Sequence, residues 1–143
     1  MKTKQFFTGE DPLKEKTLIL AIRIVNLCKY LKEEKKEYTI SGQIIRSGTN
    51  SGAMVREAKN AESPKDFIHK LSVGQKETAE TQFWLELLYE TDFINKSEFD
   101  SLHANTVEVM KLIRSSILTK KKNMTLKAIS VLVIIGGLTW FIL

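Results

Sequence analysis

An all-α fold is what this sequence predicts: an up-down-up-down antiparallel four-helix bundle, plus a C-terminal apolar helix. Three observations predict it. Apolar residues recur at alternating spacings of three and four through most of the chain, which puts them on one face of a helix. A cap residue followed by proline occurs twice, at Asp11–Pro12 and Ser63–Pro64, and marks two helix starts. Connections between the periodic stretches are short, which favours antiparallel neighbours. The chain has 143 residues with only two prolines and seven glycines, so one loop-poor domain is expected.

Residues 1–10 show no periodicity and are expected to form a flexible N-terminus. MKTKQFFTGEDP has no apolar h-region, so no signal peptide is expected. The first helix starts at Asp11–Pro12, and Leu13, Thr17, Leu20, Ile24, Leu27 and Leu31 form its seam. A second stripe, Leu18, Ile22 and Val25, lies beside the seam. A helix apolar on two adjoining stripes sits centrally in the bundle or meets another subunit. KEEKKE at 32–37 reads as a solvated helix end and loop. The single Cys28 lies beside the seam, reads as core, and suits a reducing compartment.

The second helix runs from about Ile40 to Asn60, with a core face of Ile44, Ile45, Val55, Ala58 and Ala61. Gly48 and Gly52 sit on one side of it. Each costs about 1 kcal/mol of helix stability relative to alanine, and close approach of a neighbouring helix is the usual reason. The third helix starts at Pro64 and ends near Glu90. Ser63 caps it, Asp66 sits in its first turn where the helix dipole favours a negative charge, and Phe67, Leu71, Gly74, Thr78, Thr81, Leu85 and Leu88 form its seam. Asn95 and Glu98 make a capping pair for the fourth helix, which carries Phe99, Leu102, Thr106, Val109, Met110, Ile113 and Ile117.

The bundle is therefore expected over 11–120, and 121–143 is of another kind. Ala128 to Leu143 is sixteen residues without a charge, about 24 Å of helix. Counted from Met124 the run is twenty residues, with Lys120, Lys121, Lys122 and Lys127 on its N-terminal side. That pattern predicts a transmembrane helix over 124–143, with the bundle cytoplasmic and anchored to the inner membrane. The other reading is an extra helix packed on the bundle or between subunits. The net charge is +5. No acidic residue follows Glu108, so the basicity belongs mostly to one helix end and its tail.

The stretch from Ile44 to Leu88 resembles a known family. Arg46, Gly48, Ala53, Glu57 and Ala58, then Asp66, Phe67, Leu71, Glu77, Glu80 and Leu85, match its pattern of R-x-G-x-S-x-x-A-N-I-x-E-A followed by a K-D-F-I-x-K-L helix with a glutamate-rich middle. These are the small four-helix-bundle proteins encoded in intervening sequences of bacterial large-subunit ribosomal RNA genes. The resemblance covers roughly 11–120. Asn50 stands where the family usually has serine, and Met54 where it usually has asparagine. The resemblance implies a homo-oligomer, a ring-like pentamer. A related bundle, the accessory factor of diversity-generating retroelements, binds nucleic acid and a reverse transcriptase.

Two sets of residues could carry function. Arg46, Asn50 and Glu57 share a face of the second helix, and Glu77 and Glu80 offer carboxylates on the third. These five form a candidate polar network, either a site for ligand or nucleic acid or a structural network that holds helix register. The candidate nucleic-acid contacts are Arg56, Lys59, Lys65, Lys70, Arg114, Lys120, Lys121 and Lys122. Asp66-x-x-His69 and Asp100-x-x-His103 have the spacing of bundle metal ligands. Antiparallel helices would put those two pairs at opposite ends, which argues against a shared metal. No Ser/His/Asp or Cys/His arrangement can be argued, so no catalytic residue, metal or cofactor is expected. The function expected is a non-enzymatic, oligomeric binding or scaffold protein that associates with RNA or a nucleic-acid-processing partner. The alternative is a membrane-anchored cytoplasmic protein–protein adaptor with no nucleic-acid role.

Overall fold

The computed structural model describes residues 7–142, with side chains through 135. Four helices follow in order, and no strand occurs among the described residues: α1 Pro12–Glu34, α2 Thr39–Lys59, α3 Pro64–Glu90 and α4 Lys96–Ile142. The cap signals act as expected. Asp11 accepts from the Lys14 amide at 3.1 Å and Ser63 from the Asp66 amide at 3.0 Å. Asn95 and Glu98 close a reciprocal box, each side chain accepting from the other's backbone amide.

The start of α2 differs from expectation. Tyr38, its N-cap, makes no side-chain cap bond. Glu37 does that work: it accepts from the Ile40 and Ser41 amides at 2.7 and 2.8 Å and is buried. The KEEKKE stretch is therefore not solvated throughout. The chain reaches Glu37 through Lys36, whose φ of 53° lies in the left-handed region, so that the Glu37 amide donates back to Leu31 O at 3.0 Å.

α1 packs on α2 and α4, and α3 packs on α2 and α4. In each neighbouring pair the contacts advance along one helix as they retreat along the other. Thr17 meets Gly52 and Ile24 meets Gly48. Arg46 meets Glu80 and Glu57 meets Lys70. Gln82 meets Thr106, and Tyr89 stacks on Phe99. Lys16 meets Glu108, and Arg23 meets Ser101.

The whole predicted seam of α1 is buried, from Leu13 to Leu31. Beside it Leu18 and Val25 are only half-buried and Ile22 is exposed, so the second stripe stays uncovered in the single chain. Between α2 and α3 the core is small and hydroxylic. Ser51 Oγ lies 2.8 Å from Thr78 Oγ1, and Thr81 Oγ1 donates to Ser47 Oγ at 3.0 Å. Short side chains and Gly74 let α2 and α3 come close, as Gly48 and Gly52 do for α2 and α1, while the paired hydroxyls avoid the cost of burying unbonded polar groups.

The C-terminal segment does not form a helix of its own. α4 runs unbroken from Lys96 to Ile142, 47 residues and on the order of 70 Å, far longer than the 21 to 27 residues of the other three. Among the described residues no helix is long and apolar enough to cross a membrane. The part of the apolar run with described side chains, Ala128 to Ile135, is eight residues, about 12 Å against a hydrocarbon core of ~30 Å. Lys120, Lys121, Lys122 and Lys127 interrupt what precedes it. This overturns the transmembrane helix expected over 124–143 and the inner-membrane location that followed from it. The rest of that run, 136–143, lies outside the residues with described side chains, as residues 1–6 lie outside the described chain.

Candidate functional site

The outer seam between α2 and α3 holds the polar network. Antiparallel register brings Arg46 Nη2 within 2.8 Å of Glu80 Oε1, and the same oxygen accepts from Trp84 Nε1 at 3.2 Å. One turn further along α2, Asn50 Nδ2 donates to Glu77 Oε1 at 2.9 Å. Glu77 Oε2 is buried and meets no hydrogen-bond donor among the described residues. Glu57 is not part of this group. It lies toward the end of α2 and pairs with Lys70 at 2.8 Å. The hydrogen bond and charge of Glu57 hold the Lys70 ammonium above its usual pKa. Arg46 is thus spent on a neighbouring carboxylate, and the carboxylates around it would repel phosphate.

The basic candidates are distant in sequence yet gather at one end of the bundle. Lys120 Nζ lies 4.8 Å from the centre of the Phe67 ring, joining α4 to the first turn of α3. Lys59 pairs with Asp11 at 2.7 Å, joining the end of α2 to the start of α1. Burial raises the Asp11 pKa, but the bonds from Lys59 and the Lys14 amide outweigh it and hold the group below the usual value. Arg56 donates to its own helix at Gly52 O. Lys65, Arg114, Lys121 and Lys122 are exposed and enter no ion pair with the described residues.

Besides a cleft of about 340 Å³ between Pro64 and Lys120, Asn123 and Lys127, two more open at this end. One, of about 540 Å³, is polar and lined by Arg56, Glu57, Asn60, Glu62, Asp66 and Lys70. The other, of about 180 Å³, is mostly apolar and lies where the four helices converge, between Leu13, Val55, Phe67 and Leu112. From Lys120 the backbone of α4 runs on to Ile142, on the order of 30 Å beyond its contact with Phe67.

The histidines stand apart. His69 is in the first turns of α3, and His103 is in those of α4, its ring 5.2 Å from that of Phe99. No group of three or more His, Cys, Asp or Glu side chains that could hold a metal occurs among the described residues. Cys28 is buried with Sγ 3.4 Å from Ser41 O, and burial pushes its thiol up to about 11. A thiol so protonated is a poor nucleophile at neutral pH.

Sequence reasoning missed two features. Glu37 was hidden in a charged run. Arg23 grips α4, donating to Ser101 O at 3.0 Å, to Ser101 Oγ at 2.7 Å and to Asn105 Oδ1. The only signal for it is a cation on the shoulder of the α1 seam.

Residues 13–115 match the model of the 23S rRNA-intervening sequence protein family. Among solved structures, a protein of unknown function from the S23 ribosomal protein family of Bacteroides thetaiotaomicron is 48% identical. That match has a TM-score of 0.73 and covers 73% of this chain and 97% of the other. No curated protein matches the chain.

Proposed function

The chain belongs to the 23S rRNA-intervening sequence protein family, and from that premise we propose that it is a non-enzymatic, oligomeric binding module. Its helices form an up-down-up-down bundle, and its basic end engages RNA. The observation that supports this reading is the gathering of Lys65, Arg114 and Lys120 to Lys122 at one end of the bundle, at the root of the projecting α4. Cations that enter no ion pair with the described residues, beside a projecting helix, offer phosphate contacts that need no sequence-reading motif. The polar network of Arg46, Asn50, Glu77 and Glu80 serves in this reading to hold α2 and α3 in register.

The second reading is a protein–protein adaptor, favoured by the apolar side chains left exposed on α1 and α3. Binding of the full-length chain to a single-stranded RNA across a salt series separates the two. Each phosphate contact contributes a slope of about −0.7 in log K against log salt. Replacing Lys120, Lys121 and Lys122 together by glutamine should flatten that slope by about 2. Arg46→Gln should leave it unchanged. No binding near 50 mM salt would remove the RNA role and leave the adaptor.

A further inference from the structure

α1 and α3 stand diagonally in the bundle, each packed on α2 and α4. Their outward faces therefore look in opposite directions, and both are apolar. On α1, Thr17, Ile24 and Cys28 meet α2, while Lys16 and Arg23 meet α4. At about 3.6 residues per turn, Leu18, Ile22 and Val25 fall on the remaining, outward side. Ile22 is 40% exposed. On α3, Thr78 and Thr81 meet α2, and Gln82 meets α4. Leu87 is nine residues from Thr78, about two and a half turns, and so faces out. Phe83 and Trp84 flank it edge to face, their ring centres 4.9 Å apart, with Phe83 53% exposed.

The surroundings of the two faces differ in charge. The α1 strip lies among the exposed Lys14, Lys29 and Lys32; Glu15 on that helix is taken up by the Thr8 and Gly9 amides, and the exposed Glu33 and Glu34 lie only in its last turn. The α3 patch lies beside the exposed Glu86, Glu90 and Asp92, while Glu77 and Glu80 are taken up by Asn50 and Arg46 and the exposed Lys76 stands two turns before Phe83. An aromatic anchor in acidic surroundings and an aliphatic strip among lysines complement each other, and neither complements itself.

We propose that these are the two halves of one contact: the Phe83–Trp84–Leu87 face of one copy docks on the Leu18–Ile22–Val25 strip of the next. Such a contact is head-to-tail, since each copy offers two different surfaces on opposite sides. The proposal rests on the oligomeric part of the reading above and names the surfaces that would build it.

Sedimentation velocity of the full-length chain at micromolar concentration tests it. The wild type should run well above its monomer mass of 16.3 kDa. Ile22→Glu and Phe83→Glu should each run as monomers with unchanged helical circular dichroism. An equimolar mixture of the two variants should then form a 1:1 heterodimer and stop there, because each variant keeps the face the other has lost. If either glutamate variant loses its helical signal, Ile22→Ser and Phe83→Ser should give the same pattern. A wild-type oligomer that neither substitution disturbs, or only one of them, overturns the proposed pairing while leaving the oligomeric reading intact. A mixture that stays monomeric overturns it too. A monomeric wild type overturns both.

Discussion

Gly48 and Ile24 lie so close that a methyl group on Gly48 would stand 2.8 Å from Ile24 Cγ1 and 3.0 Å from its Cγ2. Ile24 is fully buried and has little room to turn away. Alanine gains up to about 1 kcal/mol over glycine in a helix, but overpacking a filled core costs about 1–3 kcal/mol. Gly48→Ala should therefore lower stability by about 1 kcal/mol. Gly42, in the same helix, has nothing within 4 Å of such a methyl, and Gly42→Ala should raise stability by about 0.5–1 kcal/mol. Urea unfolding of both variants beside the wild type checks the contrast. Equal stabilisation by both would mean that close approach is not why Gly48 is a glycine.

The buried hydroxyl pair between α2 and α3 makes a second prediction. Thr78 Oγ1 donates to Gly74 O at 2.9 Å, which leaves it to accept from Ser51 Oγ at 2.8 Å. Thr78→Val keeps the volume but strands the Ser51 hydroxyl, at a cost of about 1–2 kcal/mol. Ser51→Ala should cost less, because Thr78 still bonds Gly74. The double variant should be less destabilised than the sum of the singles by about 0.5–1 kcal/mol. A strictly additive cycle in equilibrium unfolding would show that the two hydroxyls do not act as a pair.

The seams of the four helices were legible because burial follows helical period closely: Leu13, Thr17, Leu20, Ile24, Leu27 and Leu31 are all inside. The glycines were legible as points of approach, since Gly48 and Gly52 meet Ile24 and Thr17. The pairing of Arg46 with Glu80 and Asn50 with Glu77 was legible only as a set of residue types. Which carboxylate meets which donor depends on the register set by the corner at Ser63–Pro64, and periodicity does not contain that. The same corner and the path of α4 bring Lys65, Phe67 and Lys120 together, so the basic end emerges only from tertiary structure. The tail misled because an apolar run reads alike as a separate membrane span and as the continuation of a long helix. Glu37 misled because a glutamate two residues before a helix lies outside the usual vocabulary of serine, threonine, aspartate and asparagine caps.

Glu37 carries the last prediction, a pH dependence. Its burial alone would raise the carboxyl pKa. Hydrogen bonds from the Ile40 and Ser41 amides, the Ser41 hydroxyl and the Thr39 amide outweigh that and bring it below the ordinary 4.5. A folded-state value below the unfolded one means that the carboxylate's stabilisation is fully present above about pH 4.5. It is lost as pH falls through the lower folded value, where the protonated group no longer holds the α2 amides as strongly. Glu37→Gln keeps the size and removes the charge, so it should cost about 1 kcal/mol at pH 7, the usual worth of an N-terminal cap. The gap between wild type and variant should narrow as pH falls below 4.5, since both then present a neutral side chain to Ile40 and Ser41. Asp11, also held below its usual value, titrates in both proteins and cancels from the comparison. Urea midpoints at pH 7, 5 and 3 measure the gap directly. If it stays the same at pH 3 as at pH 7, Glu37 supports α2 through packing and not through its charge.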